Sequence, residues 1–150
     1  MSRKTLEYGM ILLERIPILF RVMKGIVHEE LEEQSDITMS QFSVLRHLRR
    51  GQCTVNELSR HGRISPPAVS RTVEALVQEG LVTRSVDPEN RRSVHVALSP
   101  EGEAVLADLD RAVAERFSQY LNTVKPGELG VVVDTIDTLL RAFEGRNTGS

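Results

Sequence analysis

The sequence has a single cysteine, Cys53, and no tryptophan. One thiol excludes an intramolecular disulfide framework and a cysteine-rich zinc site. Aromatic residues are only 4% of the chain, which argues against binding RNA or single strands by base stacking. The apolar run from Met10 to Met23 is broken by Pro17 and Arg21, so it is no membrane span. The basic start Met1-Ser2-Arg3-Lys4 meets Glu7, Glu14 and Arg15 instead of an apolar core, so it is no secretory signal, and a cytoplasmic protein is expected. No Gly-rich phosphate loop is present, which leaves nucleotide chemistry without support. The four histidines, His28, His47, His61 and His95, form no nucleophile–base grouping, so an enzyme is not expected. His28-Glu29-Glu30-Leu31-Glu32 starts like the zincin helix H-E-x-x-H but ends in Glu and fails as a protease motif. His28 and Glu32 could share a metal, but a surface polar pair is the expected reading, and no metal or cofactor site is predicted.

What is present is ordinary for a globular chain: 150 residues, 40% hydrophobic and 27% charged, enough for one compact unit with a core. The net charge of −2 speaks against nucleic acid, but its distribution speaks for it. Residues 40–92 hold nine arginines and no lysine against five acids. A basic middle on an acidic body is an electrostatic footprint for phosphate binding, although a solvated Arg-rich surface would look the same.

Ile64 to Gly80 organises the chain. Ser65 is placed to cap the helix by accepting from a first-turn N–H, and Pro66 stands at the first helical position, where its missing N–H costs nothing. Gly80 supplies a left-handed stop. Val69, Thr72, Val73, Leu76 and Val77 form a face to be buried, while Pro67, Ser70, Arg71 and Glu74 lie outside. The preceding helix, Thr54 to His61, opens on a T-x-x-E capping box and stops at Gly62. Helix, tight turn, helix is the helix-turn-helix layout. Two β-rich runs follow, 81–86 and 93–98, joined by the turn sequence Asp87-Pro88-Glu89-Asn90-Arg91-Arg92. A helix-turn-helix followed by a basic hairpin is a winged helix.

The flanks are helical. A long helix is expected from Thr5 to about Gln34, apolar on more than one side, with Pro17 kinking or dividing it. Thr38 and Gln41 form a second capping box before Phe42, Val44, Leu45 and Leu48, and Gly51 ends that helix. Ser99-Pro100-Glu101 opens another helix and Pro126 a last one with a wide apolar face. Residues 145–150 read as a loose tail. The fold class is therefore mainly α with a small β-hairpin wing. Residues 38–98 form a winged helix-turn-helix lobe, and 5–36 and 100–144 form a dimerisation region. Leu13, Phe20, Leu139 and Phe143 left exposed together would make an unusually large apolar patch, so a homodimer is expected.

These pieces resemble the MarR (multiple antibiotic resistance regulator) family of transcription regulators over nearly the full length. The specific segments are Thr38-Met39-Ser40-Gln41-Phe42, Thr54 to Ser59, Val69-Ser70-Arg71-Thr72-Val73 and Gly80-Leu81-Val82. The strongest is Asp87-Pro88-Glu89-Asn90-Arg91-Arg92 followed by Leu98-Ser99-Pro100-Glu101-Gly102. The resemblance implies a homodimer with interlocked first and last helices. It also implies double-stranded operator DNA as partner, usually repression, and often release by a small-molecule effector, a metal or an oxidant lodged near the second helix and the start of the fifth. The Pro66-Pro67 pair departs from the family's small polar residues and shifts that position toward apolar contact, as with a thymine methyl.

Chemistry assigns the DNA-binding roles. Arg71 can donate twice to guanine or to a phosphate. Ser65 and Ser70 can donate to phosphates or bases. Thr54 and Asn56 sit at a helix N-terminus that favours a phosphate. Arg91, with Arg92 beside it, is placed to enter a narrow minor groove. Asp87 is expected to hold the wing by pairing with a nearby arginine, a role the resemblance shares. Cys53 precedes a helix N-terminus, a setting that can lower a thiol pKa, and the family includes cysteine-based oxidant sensors; a small semi-buried residue in a turn is the expected reading. Two other readings stand beside the DNA-binding regulator: a winged-helix protein-interaction module, and a metal- or redox-sensing regulator of the same fold.

Overall fold

The computed structural model describes residues 2–62 and 64–144. In chain order these form α1 (Arg3–Gln34), α2 (Met39–Leu48), β1 (Cys53–Thr54), α3 (Val55–Gly62), α4 (Pro66–Gln78), β2 (Val82–Val86), β3 (Val94–Leu98), α5 (Pro100–Leu121) and α6 (Pro126–Glu144). The expected tail at 145–150 lies outside the described residues. The chain divides into two compact units, one through Val113 and one from Ala114. The division falls inside α5, because Gly102, Leu106, Leu109 and Val113 are buried with the first unit.

In the first unit both capping boxes form. Gln41 N–H donates to Thr38 Oγ1 at 3.2 Å, and Thr38 N–H donates to Gln41 Oε1 at 2.8 Å. Glu57 N–H donates to Thr54 Oγ1 at 3.2 Å, and Thr54 N–H donates to Glu57 Oε2 at 2.7 Å. Gln41 also donates to Glu79 Oε1 at 3.0 Å, tying the start of α2 to the end of α4. The stop of α4 is a Schellman motif. Gly80, at φ 75°, donates to Val77 O at 3.0 Å, and Leu81 N–H donates to Leu76 O at 2.9 Å. Val69, Val73 and Leu76 are buried from α4, against a core that includes Leu31, Phe42, Leu45, Leu58, Val96 and Leu106.

One expectation is narrowed here and another changes. Pro17 does not divide α1, which runs as one helix through it. The local loss is the backbone bond that residue 17 would make to the carbonyl four residues earlier. The expected pair of strands is a three-stranded antiparallel sheet in the order β1-β3-β2. Cys53 pairs with Val96 and Thr54 with His95, so the residues just ahead of α3 form an edge strand on the wing. A two-residue strand has no periodicity to read, and only its partner reveals it.

The entry to α5 explains Leu98-Ser99-Pro100-Glu101-Gly102. Ser99 N–H donates to Leu81 O at 3.0 Å, its hydroxyl donates to Gly80 O at 2.5 Å, and it accepts from Gly102 N–H at 3.0 Å. A Cβ on Gly102 would stand 1.9 Å from Leu81 O, so only glycine lets α5 start against the exit of α4. In the second unit no residue of α6 is buried.

Candidate nucleic-acid interface

The exposed face of α4 starts with two prolines. Ser65 is its N-cap residue, but its side chain makes no cap hydrogen bond, contrary to expectation. Pro67 has no N–H to offer, and the Ala68 N–H is taken by Ser65 O at 3.0 Å. The Ser65 hydroxyl is thus left outside the helix, beside two apolar rings. Ser70 and Arg71 follow on the same exposed face. Thr72 turns inward, its hydroxyl donating to Ala68 O at 3.1 Å.

Beside α4 lies a cleft of about 720 Å³ between the helix-turn-helix and the wing. Thr54, Asn56, Ser70 and Arg92 line it, together with Arg60, Glu74, Arg84 and Asn90. It brings together four of the residues the sequence singled out for DNA. Ser65, Pro66, Pro67, Arg71 and Arg91 are exposed and lie outside the cleft's lining. Thr54 is committed to the capping box through both its N–H and its hydroxyl, which also donates to Glu57 Oε2 at 3.0 Å. Asn56 is the exposed polar residue of that helix start.

The cleft also contains residues that sequence reasoning did not place. Arg84 of β2 donates to Glu74 Oε2 of α4 at 2.7 Å. Val82, Arg84 and Val86 share one face of the strand, of which only Val82 is buried, so periodicity alone carried no signal of this pair. The cross-strand neighbour of Arg84 is Val96, which is buried.

The wing turn is held by its own backbone. Asp87 Oδ1 accepts from Glu89 N–H at 2.9 Å, and Asn90 Oδ1 accepts from Arg92 N–H at 3.3 Å. Ser93 N–H donates to Asn90 O at 2.8 Å. Asp87 does stand at the base of the wing, but among the described residues the basic side chain beside it is His95, at 4.0 Å, and not an arginine. An aspartate followed by proline satisfies the turn locally before any cation is needed.

Burial and the nearby charge of Glu57 push the Cys53 thiol pKa up, which disfavours the thiolate that would attack a peroxide. His28 and Glu32 form an exposed pair at 3.2 Å, and the described residues contain no group of three metal-ligating side chains. His47 and His61 lie with ring centroids 5.1 Å apart and planes tilted by 46°, and burial, then His61 and Arg50, lower the His47 pKa. The Thr54 bonds hold the Glu57 carboxyl below its usual range.

Residues 35–93, which span the helix-turn-helix and most of the wing, match the model of the MarR family. The chain is 30% identical over 108 residues to the HTH-type transcriptional repressor MdtR of Bacillus subtilis, covering 69% of this chain and 68% of that one. The chain belongs to the MarR family. Within that family, its fold is similar to that of wild-type MarR from E. coli in its apo form, at 24% identity and a TM-score of 0.74, over 83% of this chain and 93% of that one. It is also similar to BpsR of Bordetella bronchiseptica, whose DNA binding is described as regulated by 6-hydroxynicotinic acid. There the identity is 25% and the TM-score 0.63, over 84% of this chain and 98% of that one. As a MarR-family winged helix-turn-helix chain, this protein is mainly helical with a small antiparallel sheet. No helix among its described residues is long and apolar enough to cross a membrane.

Proposed function

We propose that this chain is a homodimeric, sequence-specific regulator that binds double-stranded operator DNA and represses transcription until an effector releases it. The observation that carries the reading is the exposed face of α4, with Ser70 and Arg71, beside a cleft holding Arg60 and Arg92. Pushed into a major groove, α4 would present the rings of Pro66 and Pro67 to thymine methyls and the fork of Arg71 to a guanine edge. Ser65, Ser70, Asn56 and the start of α3 at Thr54 would meet phosphates. Arg91 and Arg92, beyond the wing turn, reach backbone and minor groove. Asp87 positions that turn.

The dimer reading rests on exposed apolar surface. On α1, Leu13 is 71% and Phe20 66% exposed, and on α6 Phe143 is 57% exposed. Leu139 is partly covered. A contiguous patch of such side chains marks a surface that a partner covers. A second copy would also pair two recognition helices across a two-fold axis, about one helical turn of DNA apart. A regulator acting on chromosomal DNA works in the cytoplasm.

For the effector, a hollow of about 500 Å³ lies between the end of α2, β3 and the start of α5, lined by Leu48, Arg49, Leu98, Glu103 and Leu106. Its volume suits a small organic molecule. Next to it Asp110 of α5 pairs with Arg46 at 3.3 Å and with Arg49, joining α2 to α5. A ligand that takes Arg49 from Asp110 would loosen that joint. BpsR, whose DNA binding is regulated by 6-hydroxynicotinic acid, supports control by a small organic molecule.

The test is to select bound sequences from random duplex DNA and then measure affinity against salt. Arg71→Ala is expected to cost about 1–3 kcal/mol on the selected operator and to relax preference at one base position per half-site. Arg91→Ala is expected to weaken all sequences more evenly and to flatten the salt slope by about one unit. A protein that selects no sequence would refute the reading, and the reverse pattern in the two variants would exchange the roles of helix and wing.

A further inference from the structure

Glu74 is an acid on the face of α4 that would meet DNA, one turn beyond Ser70 and Arg71. It is the only acid among the residues lining the cleft, which also include Arg60, Arg84 and Arg92. Left bare, it would face phosphates and repel them. Instead it holds the guanidinium of Arg84 at 2.7 Å. The pair is exposed, at 40% for Arg84 and 51% for Glu74, so it adds little to the stability of the free protein. DNA seated on α4 and the wing would cover it, and with water excluded the same charges act more strongly.

We propose that the Glu74–Arg84 pair is a specificity device: Glu74 withholds Arg84 from the phosphate backbone and pins β2 of the wing to α4. The proposal rests on the duplex-binding reading above. A guanidinium free to reach a phosphate adds affinity for every sequence alike and so lowers discrimination. Bound to Glu74, Arg84 makes no such contact, and its stem fixes the wing relative to the helix that reads bases. Arg84 and Glu74 are then positioning residues.

The experiment compares the full-length protein with Glu74→Gln, Arg84→Gln and the charge swap Glu74→Arg with Arg84→Glu. Each is titrated on the selected operator and on random duplex across salt, with thermal melting to verify folding. Glu74→Gln is expected to bind random duplex several-fold more tightly, with a salt slope steeper by about one unit and a reduced operator-to-random ratio. Arg84→Gln leaves Glu74 bare toward the phosphates and should weaken operator and random duplex alike, without steepening the slope. The swap should restore most of the ratio lost in Glu74→Gln, because it rebuilds the pair in reverse. The proposal is overturned if Arg84→Gln lowers the slope by a unit while Glu74→Gln does nothing, since Arg84 would then contact phosphate directly. It is equally overturned if Glu74→Gln changes preference at one base pair with no change of slope, since Glu74 would then read a base. Failure of the unmodified protein to bind any duplex would overturn this proposal and the DNA-binding reading together, whereas normal operator binding with either overturning pattern leaves the reading standing.

Discussion

Helices α4 and α6 are both apolar along one side, yet they end in opposite states. In α4, Val69, Val73 and Leu76 are buried, and its exposed face is polar apart from the two prolines. In α6, Val132, Ile136, Leu140 and Phe143 are exposed, and no residue of the helix is buried. The apolar stripe of α4 is satisfied within the chain. That of α6, like the early part of α1, finds no cover among the described residues. An apolar face states that something must pack on it, and it does not state which molecule supplies the cover.

The comparison can be broken at its glycines. Gly102 starts α5 against the backbone of Leu81, and Gly102→Ala is expected to destabilise the winged-helix unit by at least about 2 kcal/mol, because the carbonyl cannot yield as a side chain would. A Cβ on Gly130 of α6 meets nothing within 4 Å, and Gly130→Ala should be neutral or stabilise by up to about 1 kcal/mol through helix propensity. Thermal melting of the two variants decides this. A loss at Gly130 matching that at Gly102 would mean that a partner chain packs on α6 at that glycine.

Charging the uncovered faces is the next largest test. Phe20→Glu combined with Phe143→Glu should shift sedimentation from dimer to monomer at micromolar concentration and reduce operator affinity. Amide protection at Val73 and Leu76 should persist, since their cover lies within the chain. Simultaneous loss of that protection would show that the two regions are not separable.

A smaller effect comes from acid. The folded-state pKa of His47 is lowered from 6.5, first by burial and then by His61 and Arg50, with Glu57 opposing. The unfolded chain therefore binds the proton more readily. Stability falls as pH drops below 6.5 and levels off beneath the folded pKa. Glu57, lowered from 4.5 by its bonds from Thr54, adds a second loss as pH falls through its own folded pKa. In His47→Gln the first decline should vanish and the second remain, as read from melting temperature against pH. An unchanged profile would assign the decline to another group.

The smallest expected effect is at Cys53. Because burial raises its pKa, Cys53→Ser should leave operator affinity and its response to peroxide unchanged. A peroxide response lost in Cys53→Ser would restore the redox-sensing alternative.

The parts legible in the sequence are those fixed by interactions among neighbours. The boxes at Thr38–Gln41 and Thr54–Glu57 and the stop at Gly80 close within a few residues, so residue type and spacing suffice to read them. The strands of the wing and the buried side of α4 follow from periodicities of two and 3.6. The rest depended on what the fold brings opposite. Nothing local to Cys53 and Thr54 makes them a strand; β3 does. Arg84 is one of nine arginines in the basic middle until Glu74 stands 2.7 Å from it. Ser65 looked like a capping side chain, and the two prolines after it leave no first-turn N–H that its own carbonyl does not take. Local hydrogen bonds and periodicity thus determine which elements form and where they stop, because their partners lie within a turn. Which charge meets which, and where a glycine becomes obligatory, is decided only when residues distant in the chain are packed within contact range.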